Sequence, residues 1–186
     1  HNLMRPRADG IFRFGPSNQI KEFDILQEGV TVRKVGSQEG CVILSQRKLP
    51  NKSLIEIRID EGGLDLHSYL GVGIAHPEVL KRVPCLCHNP KMPDFMAYFT
   101  YSGTSRIATS GVATNSAYGY PFKKGDRISL LINLGKAELR YFKNDQDLGA
   151  LDISHLPKTL HFAVWVSSKG DTITIESSKV HDIGER

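Results

Sequence analysis

Residues 118–153 read YGYPFKKGDRISLLINLGKAELRYFKNDQDLGALDI, and this stretch decides the fold. Apolar and polar side chains alternate over residues 127–134 and again over residues 137–143. A Gly-Lys turn at 135–136 separates these segments, and a second run of turn-forming residues follows at 144–147. Alternation with a period of two, broken at Gly, Asn and Asp, predicts consecutive antiparallel strands joined by tight turns.

The alternation also predicts which side chains of this hairpin enter the core. Leu130 and Ile132 share one face of the first strand, and Leu139 and Tyr141 share the matching face of the second. We expect Gly135 to supply the positive φ that a tight turn requires, because glycine adopts it without steric cost.

The rest of the chain shows the same strand-like character. Further strands are predicted at residues 20–26, 30–35, 41–45, 54–59, 69–75, 95–101, 106–109, 148–153, 161–166 and 172–175. No segment sustains a helical period, although residues 76–80 fit one helical turn because Pro77 is well tolerated at its start. Many short strands at even spacing predict an all-β sandwich or barrel.

The order of residues around the central hairpin resembles the SPRY domain family. The resemblance rests on Pro121-Phe122, Gly125-Asp126, the Phe142-Lys143-Asn144 turn, Leu148-Gly149, Leu156-Pro157 and the strand at 160–164. It covers residues 20–177 and departs from the family pattern at Leu54-Ile55, where the family usually carries tyrosine-tryptophan. The resemblance implies an all-β, two-sheet antiparallel β-sandwich of SPRY type, jelly-roll-like, with few or no helices.

The length of 186 residues fits one sandwich domain. We expect an N-terminal arm, linker or tag remnant over residues 1–18, the SPRY-like sandwich over 19–178, and a C-terminal tail over 179–186. The net charge of +4 is mild, and the basic residues are scattered along the chain. No apolar run approaches the length of a membrane span, so a membrane partner is not expected.

The three cysteines are Cys41, Cys85 and Cys87. This odd, sparse set argues against a disulfide framework and for an intracellular location, cytoplasmic or nuclear. Cys85, Cys87 and His88 form the sharpest metal-like cluster of the sequence. Structural zinc requires four ligands, and no spacing in the chain demands a fourth, so we expect a loop with free thiols and no metal.

Catalytic patterns are missing from the sequence. There is no Gly-X-Ser-X-Gly elbow, no paired acid and base, and no phosphate-binding glycine loop before a helix. We therefore expect a protein that is not an enzyme, with no cofactor and no small-molecule substrate.

The single tryptophan, Trp165, lies in the predicted strand at 161–166. Alternation places Ala163 and Trp165 on one face of that strand and Phe162 and Val164 on the other. Because aromatic residues dominate sandwich cores, we predict that Trp165 is buried in the core, with the floor of a shallow groove as the alternative.

The SPRY resemblance also implies a binding surface built from loops at one end of the sandwich. By position, the segments concerned are 36–40, 81–88 and 166–170, together with the long loop at 110–124. The predicted partner-binding residues in these loops are Arg82, Pro84, Cys85, Tyr118, Tyr120, Ser168 and Lys169. The alternative for Tyr118 and Tyr120 is that they pack back onto the sandwich edge. The aromatic that some family members place near Pro84 and Cys85 is missing, so we expect a different ligand.

The function that follows from this resemblance is non-catalytic protein–protein interaction. We expect the domain to bind a short protein or peptide segment, for target recognition or scaffolding in a larger intracellular protein such as a ubiquitin ligase. An RNA-binding module is the alternative, because the isoelectric point is near 9.0, but no basic strip interleaves with aromatics. Carbohydrate binding is a third possibility, although no Asp/Asn cluster for a calcium site is present.

Overall fold

The computed structural model describes residues 12–38, 40–62, 70–81, 96–100, 104–109, 112–117 and 122–181. For the strands between residues 96 and 117 and for His181, it describes the backbone alone. These residues form an antiparallel two-sheet β-sandwich, which confirms the predicted fold class. The helical segments in this part of the chain are short 3₁₀ turns at Ile20–Glu22, Gln27–Gly29 and Pro77–Lys81.

Fourteen strands are described, in two sheets. In chain order they are β1 (Phe14–Ser17), β2 (Phe23–Leu26), β3 (Thr31–Lys34), β4 (Cys41–Lys48), β5 (Lys52–Glu61), β6 (Leu70–Ala75), β7 (Met96–Thr100), β8 (Thr104–Thr109), β9 (Val112–Ala117), β10 (Arg127–Asn133), β11 (Glu138–Lys143), β12 (Gln146–Asp152), β13 (His161–Val166) and β14 (Thr172–His181). The first sheet has the order β1-β4-β13-β6-β7-β8-β9, and the second has the order β12-β11-β10-β5-β14-β3-β2.

The central hairpin is formed by β10 and β11, with Leu130 opposite Tyr141 and Ile132 opposite Leu139. All four of these side chains are completely buried, as the alternation predicts, whereas Leu131 between them is 40% exposed. The Tyr141 hydroxyl donates a hydrogen bond of 2.6 Å to the Val72 carbonyl in the other sheet. This bond joins the two layers and satisfies a polar group that burial would otherwise penalise.

The turn between β10 and β11 differs from the prediction for Gly135. The residue with positive φ in this turn is Ala137, at +52°, whereas Gly135 does not adopt a positive φ. Glycine at 135 instead allows a close approach to Asn51. Its N–H donates to Asn51 Oδ1 at 2.7 Å, and a Cβ at this position would lie only 2.9 Å from the same oxygen.

The main core lies between the sheets. It includes Ile55 and Ile57 of β5, Val72 of β6, and Phe162 and Val164 of β13, all completely buried. Inward residues from both sheets therefore supply one continuous apolar layer, as sandwich packing requires.

Trp165 is buried, but it lies on the outer face of the first sheet and not between the sheets. It joins a second apolar cluster with Val42 and Leu44 of β4 and with Val79 of the Pro77–Lys81 turn. The predicted alternation along β13 is correct. The location differs because a 3₁₀ turn packs against the outer face of the sheet.

The sandwich extends beyond the predicted boundaries of 19–178 at both ends. β1 pairs with β4, and Phe12 and Phe14 are completely buried, so residues 12–18 belong to the domain and not to an arm. The Phe14 ring lies 6.0 Å from that of Phe162, centroid to centroid. At the other terminus, β14 continues to His181, where its backbone pairs with Lys52.

Antiparallel pairing divides the connections between two ends of the sandwich. Val166 pairs with both Cys41 and Leu70, so the connections at 35–40 and 167–171 lie at the same end, here called the loop end. His161 pairs with Lys48 and Ala75 at the opposite end, here called the turn end. The turn end carries the connections at 49–51, 134–137 and 153–160.

Candidate functional site

Two connections between the sheets, β3 to β4 and β13 to β14, lie against each other at the loop end. The Gly40 N–H donates to Ser167 Oγ at 3.1 Å. Two backbone hydrogen bonds continue this contact, from Gly170 N–H to Lys34 O at 2.8 Å and from Lys34 N–H to Asp171 O at 2.9 Å. These hydrogen bonds join the connections 35–40 and 167–171 into one surface. Such contact is what we expect if the segments 36–40 and 166–170 converge.

A buried ion pair holds residues 36–38 in place. The Lys34 side chain is completely buried, and its Nζ donates to Glu22 Oε1 at 2.9 Å and to the Gly36 carbonyl at 2.6 Å. Glu22 Oε1 also accepts the Gln38 N–H at 2.7 Å. A buried charge is costly unless it is paired and hydrogen-bonded, so the chain must follow this path to keep Lys34 satisfied.

The electrostatics of this pair favour the charged carboxylate. The hydrogen bond from Lys34 lowers the pKa of Glu22 below its ordinary value of 4.5, and the backbone hydrogen bond from Gln38 lowers this pKa further. Glycine is required at position 36, because a Cβ there would collide with the Glu22 carboxylate. Lys34, Glu22, Gly36 and Gln38 are called the Lys34 clamp below.

The two connections next to the Lys34 clamp present polar side chains, some of which are exposed. Ser37 and Lys169 are exposed, Ser168 is half-buried, and Ser167 is buried beneath them. Cys41 lies below the surface with its thiol 3.3 Å from the Gln38 carbonyl, and burial raises the pKa of this thiol. A thiol held in its neutral form is a poor nucleophile.

Among the predicted site residues, Ser168 and Lys169 are described, and both lie at the loop end. Tyr118 and Tyr120 lie outside the described residues. Ala117 of β9 pairs with Thr104 at the loop end of β8, and β10 begins at the same end of the second sheet. The described strands on either side of Tyr118 and Tyr120, β9 and β10, therefore end and begin at the loop end.

Arg82, Pro84 and Cys85 also lie outside the described residues. Their flanking strands meet at the opposite end of the first sheet, where Ala75 pairs with both Met96 and His161. The connection that contains these three residues thus begins and ends at the turn end, away from Ser168 and Lys169. Their membership of one binding face stays a prediction.

Sequence reasoning missed Glu22 and Lys34, which organise the site. They are twelve positions apart, and neither belongs to a recognisable motif. The signal that could have found Lys34 is its alternation with Val32 in β3, which places a lysine on an inward-facing position. Such a lysine requires a buried partner.

The described part of the chain contains no group of three or more His, Cys, Asp or Glu residues that could hold a metal ion. Cys85, Cys87 and His88 lie outside it, so the expectation of no metal there stays a prediction. No helix within the described residues is long and apolar enough to cross a membrane.

Known structures share this fold. A human SPRY domain superposes with a TM-score of 0.63 at 21% identity, covering 82% of this chain and 95% of its own. The SPRY domain of human HERC1 gives a TM-score of 0.65 at 16% identity, with coverages of 87% and 96%. The TRIM65 PSpry domain gives 0.62 at 14% identity, with coverages of 94% and 97%. These likenesses confirm the SPRY fold.

Sequence comparison identifies the family. No curated protein sequence matches this chain. The sequence model of the Neuralized family matches residues 21–177, which span β2 to β14 and include both segments of the loop end. With a match over most of its length and a SPRY sandwich as its fold, the chain belongs to the Neuralized family of SPRY-like domains, which are protein-interaction modules.

Proposed function

We propose that this domain is a non-catalytic module that binds a short segment of a partner protein at the loop end. The observation that carries the proposal is the connected surface of 35–40 and 167–171, ordered from below by the Lys34 clamp. We further propose that it supplies target recognition or scaffolding to a larger intracellular protein, such as a ubiquitin ligase.

Order in these loops supports binding because association normally costs conformational entropy. Each side chain or loop that must be immobilised on binding reduces affinity. Here the Gly40–Ser167 and Gly170–Lys34 hydrogen bonds restrain both segments without a ligand. A partner segment would therefore meet a surface that is largely formed beforehand.

The exposed chemistry suits a polar protein segment. Ser168 can donate and accept hydrogen bonds, and Lys169 offers a cation with three donors. Small side chains at 167 and 168 leave space for a larger side chain of the partner. Tyr118 and Tyr120, between β9 and β10, are the proposed aromatic anchors, since tyrosine is enriched at binding hot spots.

The proposal is tested by capture with the isolated domain, followed by overlapping peptides from each captured protein. Ser168→Trp should block the surface, and Lys169→Ala, Tyr118→Ala and Tyr120→Ala should each weaken peptide binding while the melting temperature stays nearly constant. Loss of a hot-spot anchor typically costs ~2 kcal/mol or more. Lys179→Ala is the matched control, because Lys179 is exposed on β14, away from the loop end.

Two results would reject the site. One is unchanged peptide affinity in all four loop-end variants, and the other is an equal loss in Lys179→Ala. The ligase role is tested separately in the full-length protein, where deletion of this domain should abolish ubiquitination of the captured partner. Ubiquitination that continues without the domain would reject that role and leave the binding site unaffected.

A further inference from the structure

The turn end carries a second recess, distinct from the loop-end surface. It is a groove of about 780 Å³, formed between the β4–β5 turn, the β10–β11 turn and the 153–160 connection. This volume is within the range of sites that hold a small molecule or a few residues of a peptide. The groove and Ser168 lie at opposite ends of the sandwich, so one ligand segment of a few residues cannot occupy both.

Hydrogen bonds join the three connections that form the groove. The Leu49 N–H donates to Leu160 O at 2.7 Å, and the Leu134 N–H donates to Asn51 O at 2.8 Å. Asn51 Oδ1 accepts the Gly135 N–H at 2.7 Å. The groove is therefore preformed, and its shape depends in part on the close approach of Gly135 to Asn51.

The charged side chains in the described lining of the groove are all cations. Arg47, Lys48 and Lys158 are among its lining residues, and no carboxylate belongs to that lining within the described part of the chain. Lys48 and Lys158 are exposed, and neither forms an ion pair with another described residue. Arg47 lies over the Phe12 ring, with Cζ 5.1 Å from its centroid, so packing restrains its side chain.

Two carboxylates on the strands next to the groove, Asp152 and Glu138, have other partners. Asp152 Oδ1 accepts the Ser154 N–H at 2.9 Å, and Glu138 lies 3.5 Å from the Arg140 guanidinium on β11. Neither carboxylate neutralises Lys48 or Lys158. The groove therefore presents cations to solvent next to the apolar side chains of Leu49, Pro50 and Leu134.

We infer that this turn-end groove is a second docking site, which binds an acidic segment of a partner protein. Carboxylates of that segment would pair with Lys48 and Lys158, while its apolar side chains would pack on the half-buried Pro50 and Leu134. The mixed lining favours a peptide over single-stranded nucleic acid. Such nucleic acid binds by base stacking on aromatic side chains, and the described lining of the groove contains none.

The test measures fluorescence anisotropy with labelled decapeptides. The probe alternates glutamate and leucine, and a peptide that alternates lysine and leucine is its charge control. The double variant Lys48→Glu/Lys158→Glu should weaken binding of the acidic probe by roughly tenfold or more, since each reversal converts an attraction into a repulsion. The matched control, Lys21→Glu/Lys123→Glu, makes the same change in net charge at the loop end, where both lysines are exposed.

A third variant tests whether the probe occupies the groove without any change in charge. Ser154 is an exposed residue of the groove lining, so Ser154→Trp should fill the groove. This variant should weaken binding of the acidic probe without altering the net charge. Circular dichroism melting of every variant should match that of the parent domain.

The inference is supported if both groove variants bind the acidic probe more weakly than the parent domain and the control double variant binds it with unchanged affinity. Equal losses in the two double variants would show general charge attraction and would overturn it. So would preferential binding of labelled oligouridylate that the Lys48→Glu/Lys158→Glu variant abolishes, which would indicate a nucleic-acid surface. No binding of the acidic probe by the parent domain would also overturn it.

Discussion

At the scale of single residues, the Lys34 clamp is the feature on which the loop end depends. Lys34→Met leaves Glu22 without its cation, and Glu22→Gln leaves the buried Lys34 ammonium without its anion. Each change should lower the melting temperature and accelerate amide exchange at Gln38, whose N–H donates to Glu22 Oε1. Combining both changes should recover part of the loss, because no buried charge is left unpaired.

Exchange rates and melting curves of the two single variants and the double variant form a complete cycle. Strictly additive losses would show that Lys34 and Glu22 do not stabilise each other. Unchanged exchange at Gln38 in all three variants would show that the clamp does not order residues 36–38.

The same pair gives a pH dependence with a defined sign. The pKa of Glu22 is below 4.5 in the folded protein, so its charge stabilises the native state at pH values above 4.5. That stabilisation is lost as the pH falls from 4.5 through the folded pKa. Urea unfolding across this acidic range should show a shallower loss of stability for Glu22→Gln than for the parent domain. Parallel curves would contradict the assignment.

At the scale of elements, the central hairpin provides a test of register. Leu130 is completely buried, whereas its neighbour Leu131 is exposed on the outer face of the same strand. Leu130→Ala should cost roughly 2–5 kcal/mol of unfolding free energy, because it removes buried apolar surface and leaves a cavity. Leu131→Ala should change stability by about 0.5 kcal/mol or less. Similar costs in urea titrations of the two variants would contradict the register.

The turn between β10 and β11 tests why glycine occurs at 135. Gly135→Ala should destabilise the domain, because the new Cβ would press on Asn51 Oδ1. In an Asn51→Ser background, with a shorter side chain, the same substitution should cost less. Gly125 is the comparison, since its φ is +90° and a Cβ there would meet no atom within 4 Å. The cost of Gly125→Ala comes from backbone strain and should be independent of residue 51.

At the scale of the whole molecule, the N-terminal segment completes the sandwich. A chain that begins at residue 19 lacks Phe12 and Phe14, both completely buried, and it lacks β1 at the edge of the first sheet. Such a chain should melt at a clearly lower temperature than one that begins at residue 12. Phe14→Ala in the full chain should cost about 3–5 kcal/mol. Equal melting temperatures of the two truncations would show that β1 is dispensable.

The fold could be predicted from sequence because its signals are local. Successive side chains of a strand point to opposite faces of the sheet, so alternation along β10 and β11 specifies which residues face inward. The burial of Leu130 and Tyr141 and the exposure of Leu131 follow from that rule alone. The site was less predictable, because the contact of Gly40 with Ser167 joins positions 127 residues apart.

Sequence alone therefore determined the all-β class and the central hairpin, which depend on short-range periodicity and turn chemistry. The two-sheet sandwich of SPRY type followed from the resemblance of its motifs to that family. Only the tertiary structure decided that Lys34 is buried against Glu22, that Trp165 packs on the outer face of the first sheet, and that Gly135 closely approaches Asn51. It also placed the cations of the turn-end groove together. These features depend on which strands become neighbours, and strand pairing is a long-range outcome that no local pattern encodes.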